Sequence, residues 1–187
     1  MRIVVFDFDG TLSYKDSMKE LFNEQMSGWR KAYRIYYYLL KVLAKLKITS
    51  VKFEKEQMLK LLFHSDLKEF ANASREQAKR FRLKPLFTKV PEYINNDDRV
   101  IVLSASSMYF LETVFEGMKV ELVCTTFKVS NGRILGIDRH PFYDEKVKCL
   151  KQMGIEQVDE MYYDSKWDEV LIPMCKVSHK VENGQIL

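Results

Sequence analysis

Two aspartates stand two residues apart directly after the first apolar run of the chain, in Asp7, Phe8, Asp9, Gly10, Thr11, Leu12. On an extended segment residues 7 and 9 point to the same side, and Gly10 permits the tight turn that brings backbone amides toward a bound anion. One carboxylate can attack while the other handles a proton. A carboxylate attacking phosphorus forms an acyl phosphate and splits hydrolysis into two displacements; its neighbour can protonate the leaving oxygen and then activate water. Such chemistry needs a counter-charge. Mg²⁺ bound by oxygen ligands would neutralise the nucleophile and the phosphoryl oxygens, which requires another carboxylate at the end of a different strand. Asp164, after Met161, Tyr162 and Tyr163, meets that requirement.

The elements that must position these groups are legible as short runs. Residues 2–6 (RIVVF) and 99–104 (RVIVLS) are β-branched stretches bounded by polar or turn residues and read as buried parallel strands. Residues 120–126 and 158–163 are further strand candidates, with helical patterns around 107–117 and 144–153. Strands alternating with helices imply an α/β fold with a parallel, Rossmann-like sheet, whose ligands bind at the carboxyl ends of the strands.

Residues 16–84 differ: they hold no convincing strand, one internal Gly and no Pro, with apolar residues at helical spacing. Residues 15–89 carry 18 Lys and Arg against 8 Asp and Glu, net +10, while the remainder carries 12 against 18, net −6. A basic helical domain over 15–89 is therefore expected to be inserted in an acidic core domain formed by 1–14 and 90–187. Its most regular piece runs from Trp29 to Ile48, where Arg30, Arg34, Lys41 and Lys45 line up and Ile35, Leu39, Val42, Leu43 and Leu46 oppose them. The plain expectation is that this apolar side packs onto the other helices of the insert. The alternative is a membrane-surface or anionic-ligand role.

Composition excludes several classes. With 187 residues, 47% hydrophobic and 30% charged, and only seven Gly and four Pro, the chain is neither disordered nor of low complexity. Cys124, Cys149 and Cys175 are widely spaced without a CxxC pair, which argues against a disulfide framework or a zinc cage and suits a reducing, cytoplasmic setting. The apolar run before Asp7 is too short for a signal-peptide core, so secretion is not expected. The longest stretch free of Asp, Glu, Lys and Arg, Val100 to Leu111, has 12 residues, short of the ~18 a spanning helix needs. His64, His140 and His179 share no ligand spacing, and no P-loop, GxGxxG or GxSxG string occurs.

DFDGTL from Asp7, the strand ending in Ser104, Lys146, and Asp164, Ser165, Lys166, Trp167, Asp168 together resemble the four motifs of the haloacid dehalogenase superfamily, in that family's order. The helical insert between the first two motifs resembles the small helical cap of its phosphoserine-phosphatase-like branch. The resemblance implies a Mg²⁺-dependent phosphatase in which Asp7 is the nucleophile and Asp9 the general acid and base. The metal would be held by the side chains of Asp7 and Asp164 and the backbone carbonyl of Asp9, with Asp168 supporting it. Thr11, Ser104, the backbone amide of Ala105, and Lys146 would bind the substrate phosphate. The segment DEKVKCLKQMG offers Lys146, Lys148 and Lys151, of which Lys146 aligns best with the family lysine. An acid two positions after the nucleophile is the phosphatase and phosphotransferase pattern; dehalogenases of the superfamily lack it, and its P-type ATPases carry Thr there.

The cap of such enzymes mostly decides the leaving group, and a net charge of +10 favours an anionic substrate. A small phosphorylated metabolite is the leading expectation. A phosphorylated lipid head group, reached by peripheral contact with an anionic membrane, is the alternative that the Trp29 to Ile48 helix suggests, with Tyr33, Tyr36, Tyr37 and Tyr38 beside its basic stripe. The competing class is a non-catalytic phosphate- or anion-binding protein; no nucleic-acid partner is expected.

Overall fold

Ile3–Phe6 (β1) is a four-residue apolar run that supplies both faces of a sheet at once, because successive side chains point to opposite sides. Val4 and Phe6 join a cluster with Val100, Val102 and Tyr162, while Val5 joins Ile101, Leu103 and Met161 on the other face. The computed structural model describes residues 1–182 and 185–187, and in it β1 lies at the centre of a six-stranded sheet. Its neighbours are Arg99–Ser107 (β2) and Val158–Tyr163 (β6), both parallel to it. Glu121–Thr125 (β3) extends the sheet beyond β2, and Cys175–Glu182 (β7) and Gln185–Ile186 (β8) extend it beyond β6. All pairings are parallel except that of β7 with β8. The chain fills one side of β1 before it turns to the other, which makes the carboxyl end of β1 the topological switch point where such sheets bind ligands.

Between β1 and β2 lies the helical insert: Ser17–Gln25 (α1), Tyr33–Lys45 (α2), Val51–Phe63 (α3) and Leu67–Arg80 (α4), followed by Lys89–Asn95 (α5). Three of these starts are written in the sequence as N-caps. Asp16 accepts from the Lys19 amide at 2.8 Å, Ser50 from Phe53 at 3.0 Å and Asp66 from Glu69 at 2.7 Å. The insert has its own core of Met18, Phe22, Met58, Leu62, Phe63 and Phe70. It returns to the sheet where Leu83 bridges Ser13 and where Leu86 and Val90 enter the cluster under β1.

Two features around the insert depart from the sequence expectations. Phe127–Ser130 (β4) and Arg133–Ile137 (β5) form an antiparallel hairpin whose Ile134 and Ile137 complete the core of the insert rather than that of the sheet. The expected helix from Trp29 to Ile48 is split into a 3₁₀ turn over Gly28–Ala32 and α2, and its apolar stripe is not covered. The side of α2 that packs inward carries Tyr37 and Leu40, whereas Ile35, Leu39, Val42 and Leu46 face solvent. Two remaining helices serve the sheet, Met108–Val114 (α6) after β2 and Asp144–Gln152 (α7) before β6. Among the described residues no helix is long and apolar enough to cross a membrane.

Candidate active site

Register brings the chemistry to one edge. Phe6 lies opposite Val102 and Tyr162, so Asp7 and Asp164 leave the sheet at nearly the same level, beside Ser104, which sits within β2 because that strand runs on to Ser107 instead of ending at residue 104 as expected. The Asp7 amide still donates to the Tyr162 carbonyl at 2.9 Å, which extends the sheet's hydrogen bonding by one residue and fixes the nucleophile candidate's backbone. Together with Asp9, Lys55, Lys146, Asp168 and the side chains of Phe142 and Trp167, they line a cavity of about 320 Å³.

The buried Asp7 carboxylate is held from two directions. Lys146 Nζ lies 2.7 Å from its Oδ1, and Thr11 donates its hydroxyl to Oδ2 at 3.1 Å. Lys146 comes from the first turn of α7, is itself buried, and also pairs with Asp168, whose second oxygen accepts from Ser165 at 2.7 Å. A buried ammonium is tolerable only when so paired. Burial alone would lower the Lys146 pKa, but the Asp7 and Asp168 carboxylates outweigh it and hold the ammonium charged well above the usual lysine range. For Asp7 the same burial pushes the pKa up to about 8; Lys146 opposes the rise, and the Asp168 and Asp164 carboxylates add to it.

Asp9 faces a different set. Its Oδ1 accepts from the Ser17 amide at 2.8 Å and its Oδ2 from the Ser106 hydroxyl at 2.8 Å. Burial, reinforced by Asp16, pushes this carboxyl up to about 7, against the hydrogen bonds from Ser17 and Ser106 and the charge of Lys55. A group poised there can give a proton and take one back at neutral pH. Ser104 Oγ accepts from the Ser106 amide at 3.2 Å and donates to the Ser106 hydroxyl at 3.0 Å, so the end of β2 is tied to the acid through a chain of serines.

Asp7, Asp164 and Asp168 each offer a carboxylate oxygen, all within 4.8 Å of one another. An oxygen-only donor set fits a hard divalent cation, and burial together with the Asp168 charge raises the Asp164 pKa, a crowding that such a cation would relieve. The Asp9 side chain is not in this trio. Gly10 shapes the same corner. Its φ is +86°, and a Cβ there would lie 2.1 Å from Asp164 Oδ2. Gly10→Ala is expected to cost roughly 1–2 kcal/mol in backbone strain and to weaken divalent-cation affinity by about tenfold or more, read by thermal melting and by metal titration.

Of the residues singled out in the sequence, Asp7, Asp9, Ser104, Ala105, Lys146, Asp164 and Asp168 line one cavity. Thr11 does not: it is fully buried beneath Asp7 and acts on the site only through that carboxylate. Four charged residues at the site were not singled out, one of them Lys15, which lines the cavity beside Asp16. Lys55 of α3 reaches in from the insert to donate to the Ala105 carbonyl at 2.9 Å, and burial lowers its pKa against the pull of Asp16 and Asp9. Lys84 donates to the Gly10 carbonyl, and Asp16 lines the cavity beside the α1 start that it caps. The Thr125 hydroxyl donates to the Ala105 carbonyl at 2.9 Å, which ties the last residues of β2 to β3.

A model of the haloacid dehalogenase-like hydrolase family matches residues 4–166. Among solved structures, a protein with unknown function from Bordetella pertussis Tohama I aligns with a TM-score of 0.75 at 21% identity, covering 92% of this chain and 86% of that one. A substrate-bound phosphoserine phosphatase complex aligns at 0.66 and 16% identity, over 95% of this chain and 84% of that one. A phospho-aspartyl intermediate analogue of phosphoserine phosphatase aligns at 0.64 and 16% identity, over 96% and 85%. At these identities the likeness is one of fold. No curated protein matches the chain.

Proposed function

The chain belongs to the haloacid dehalogenase-like hydrolases, and from that premise we propose that it hydrolyses phosphomonoesters of small anionic metabolites through an aspartyl phosphate on Asp7. The observation that carries this reading is the division of labour between two carboxylates, one buried and one half-buried. Asp7 is clamped by Lys146 and Thr11, while Asp9 sits in a separate hydrogen-bond set that leaves it able to exchange a proton near pH 7.

In the first step a carboxylate oxygen of Asp7 attacks phosphorus, the bond to the leaving oxygen breaks, and the Asp9 proton passes to that oxygen. In the second, the Asp9 carboxylate takes a proton from water as the water oxygen attacks phosphorus, and the bond to Asp7 breaks, releasing phosphate. Lys146 meets the charge that develops around Asp7, and Ser104 with the Ala105 amide would hold the phosphoryl oxygens. Mg²⁺ held by Asp7, Asp164 and Asp168 would supply positive charge against the nucleophile and the phosphoryl group. The cavity volume of about 320 Å³ suits a small leaving group, and Lys55 and Asp16 face it with opposite charges from the insert side.

Hydrolysis of an aryl phosphate tests this reading, since a simple leaving group makes few demands on the insert. Phosphate release is expected with Mg²⁺, to be lost in chelator, and to return when the metal is restored. Metal-indifferent turnover would overturn the metal assignment. An inert protein that also fails to bind beryllium fluoride, an acyl-phosphate mimic, would favour the binding-only class instead.

A further inference from the structure

We propose that the outward face of α2 docks onto an anionic lipid bilayer. This helix has two apolar sides, of which the insert's core uses one. Tyr37 and Leu40 are buried against the other helices. On the opposite side Ile35, Leu39, Val42 and Leu46 recur at helical spacing and stay open to solvent, Ile35 at 79% and Leu46 at 63% exposure. Ile48, two positions beyond Leu46, is 67% exposed, and Trp29, 76% exposed, packs edge-on against Tyr33 at the start of the helix. Scattered exposed apolar residues mean little, but a continuous row opposite a packed face is unusual for a monomer.

Charge selects the occupant. No Asp or Glu occurs between Glu24 and Glu54, whereas Arg30, Lys31, Arg34, Lys41, Lys45, Lys47 and Lys52 all fall in that interval. Among the described residues none of the seven forms an ion pair with a carboxylate. Arg34 and Lys45 border the apolar row along one flank of the helix. A second copy of the same face would bring like charges together, which disfavours self-association. A surface of anionic lipid would instead attract them while taking up the apolar side chains, with Trp29 and Tyr38 as aromatic residues suited to the interface. The strip also ends beside the cavity. Ile48 precedes Val51, a residue of the cavity wall, by three positions, or at most about 11 Å of chain.

Docking does not depend on the proposed reaction, and the test needs no turnover. Co-sedimentation of the full chain with phosphatidylcholine vesicles, with and without phosphatidylglycerol, is expected to show at least about tenfold tighter partitioning onto the anionic vesicles, weakened by high salt. The double variant Ile35→Glu, Val42→Glu should lose this binding while melting at the parent's temperature. Arg34→Glu with Lys45→Glu should remove the preference for phosphatidylglycerol. Equal partitioning of parent and double variant, or failure of the parent to bind anionic vesicles, would overturn the proposal. A dimer by sedimentation velocity that the double variant abolishes, with no vesicle binding, would assign the face to a second copy.

Discussion

Asp7→Asn is expected to lower kcat/KM for any phosphomonoester by about four orders of magnitude or more, measured as phosphate release at saturating Mg²⁺. The amide keeps the shape of the carboxylate, with its oxygen turned to accept from Lys146 and its NH2 group donating to the Thr11 hydroxyl, but it cannot form the acyl phosphate. The same substitution should not harm the fold. Asp7, Asp164 and Asp168 crowd around Lys146, and burial with carboxylate repulsion is what raises the Asp7 pKa to about 8. Removing one charge from that group relieves repulsion, so the metal-free variant should melt no lower than the parent. This combination separates a nucleophile from a structural carboxylate, whose loss would leave turnover largely intact or lower the melting temperature. A variant retaining a tenth or more of the parent's activity would show that Asp7 is not the attacking group.

Much of this site was legible because its parts lie at the ends of short apolar strands. RIVVF before Asp7 and VDEMYY before Asp164 carry their own stop signals, and β6 spans the expected residues 158–163. The strand β7 was missed for a physical reason. In CKVSHKVE the side chains are mostly polar and exposed, because its place near the sheet's edge asks for little apolar surface. Lys55 and Lys84 were equally silent. Each is one of 18 basic residues between positions 15 and 89, and only the folding of the insert over the sheet brings them to Ala105 and Gly10. For α2 the periodicity identified the apolar stripe, but the expectation that this side packs onto the insert's other helices fails. The inward side is set by Tyr37 and Leu40, which meet Phe22 and the rest of the insert's core, and the larger stripe is left outside.

Asp9→Asn is expected to discriminate between substrates in a way that no structural defect would. A positioned acid that hands its proton to the leaving oxygen contributes about 10²- to 10⁴-fold when that oxygen is a poor leaving group. An alkyl phosphate should therefore lose that much in kcat/KM. An aryl phosphate with an acidic phenol needs little protonation and should lose far less in the same parameter, which covers the steps through formation of the acyl phosphate. The pH dependence follows from the environment of Asp9, where burial first and Asp16 second push the carboxyl up to about 7. At saturating Mg²⁺, where the cation would keep Asp7 ionised, the proton donor is lost as pH rises through that value, so the parent's kcat/KM for an alkyl phosphate should fall on the alkaline side. The variant should lack this limb because an amide does not titrate. The second step needs the opposite form of the same group, so water attack on the acyl phosphate should slow in the parent as pH falls below 7, and in the variant at every pH. Accumulated acyl phosphate in Asp9→Asn, seen as a burst of phenol without matching phosphate release, would be the direct sign of both roles in one carboxyl group. Equal losses for the alkyl and aryl substrates would instead place Asp9 in positioning alone, through its hydrogen bonds to Ser17 and Ser106.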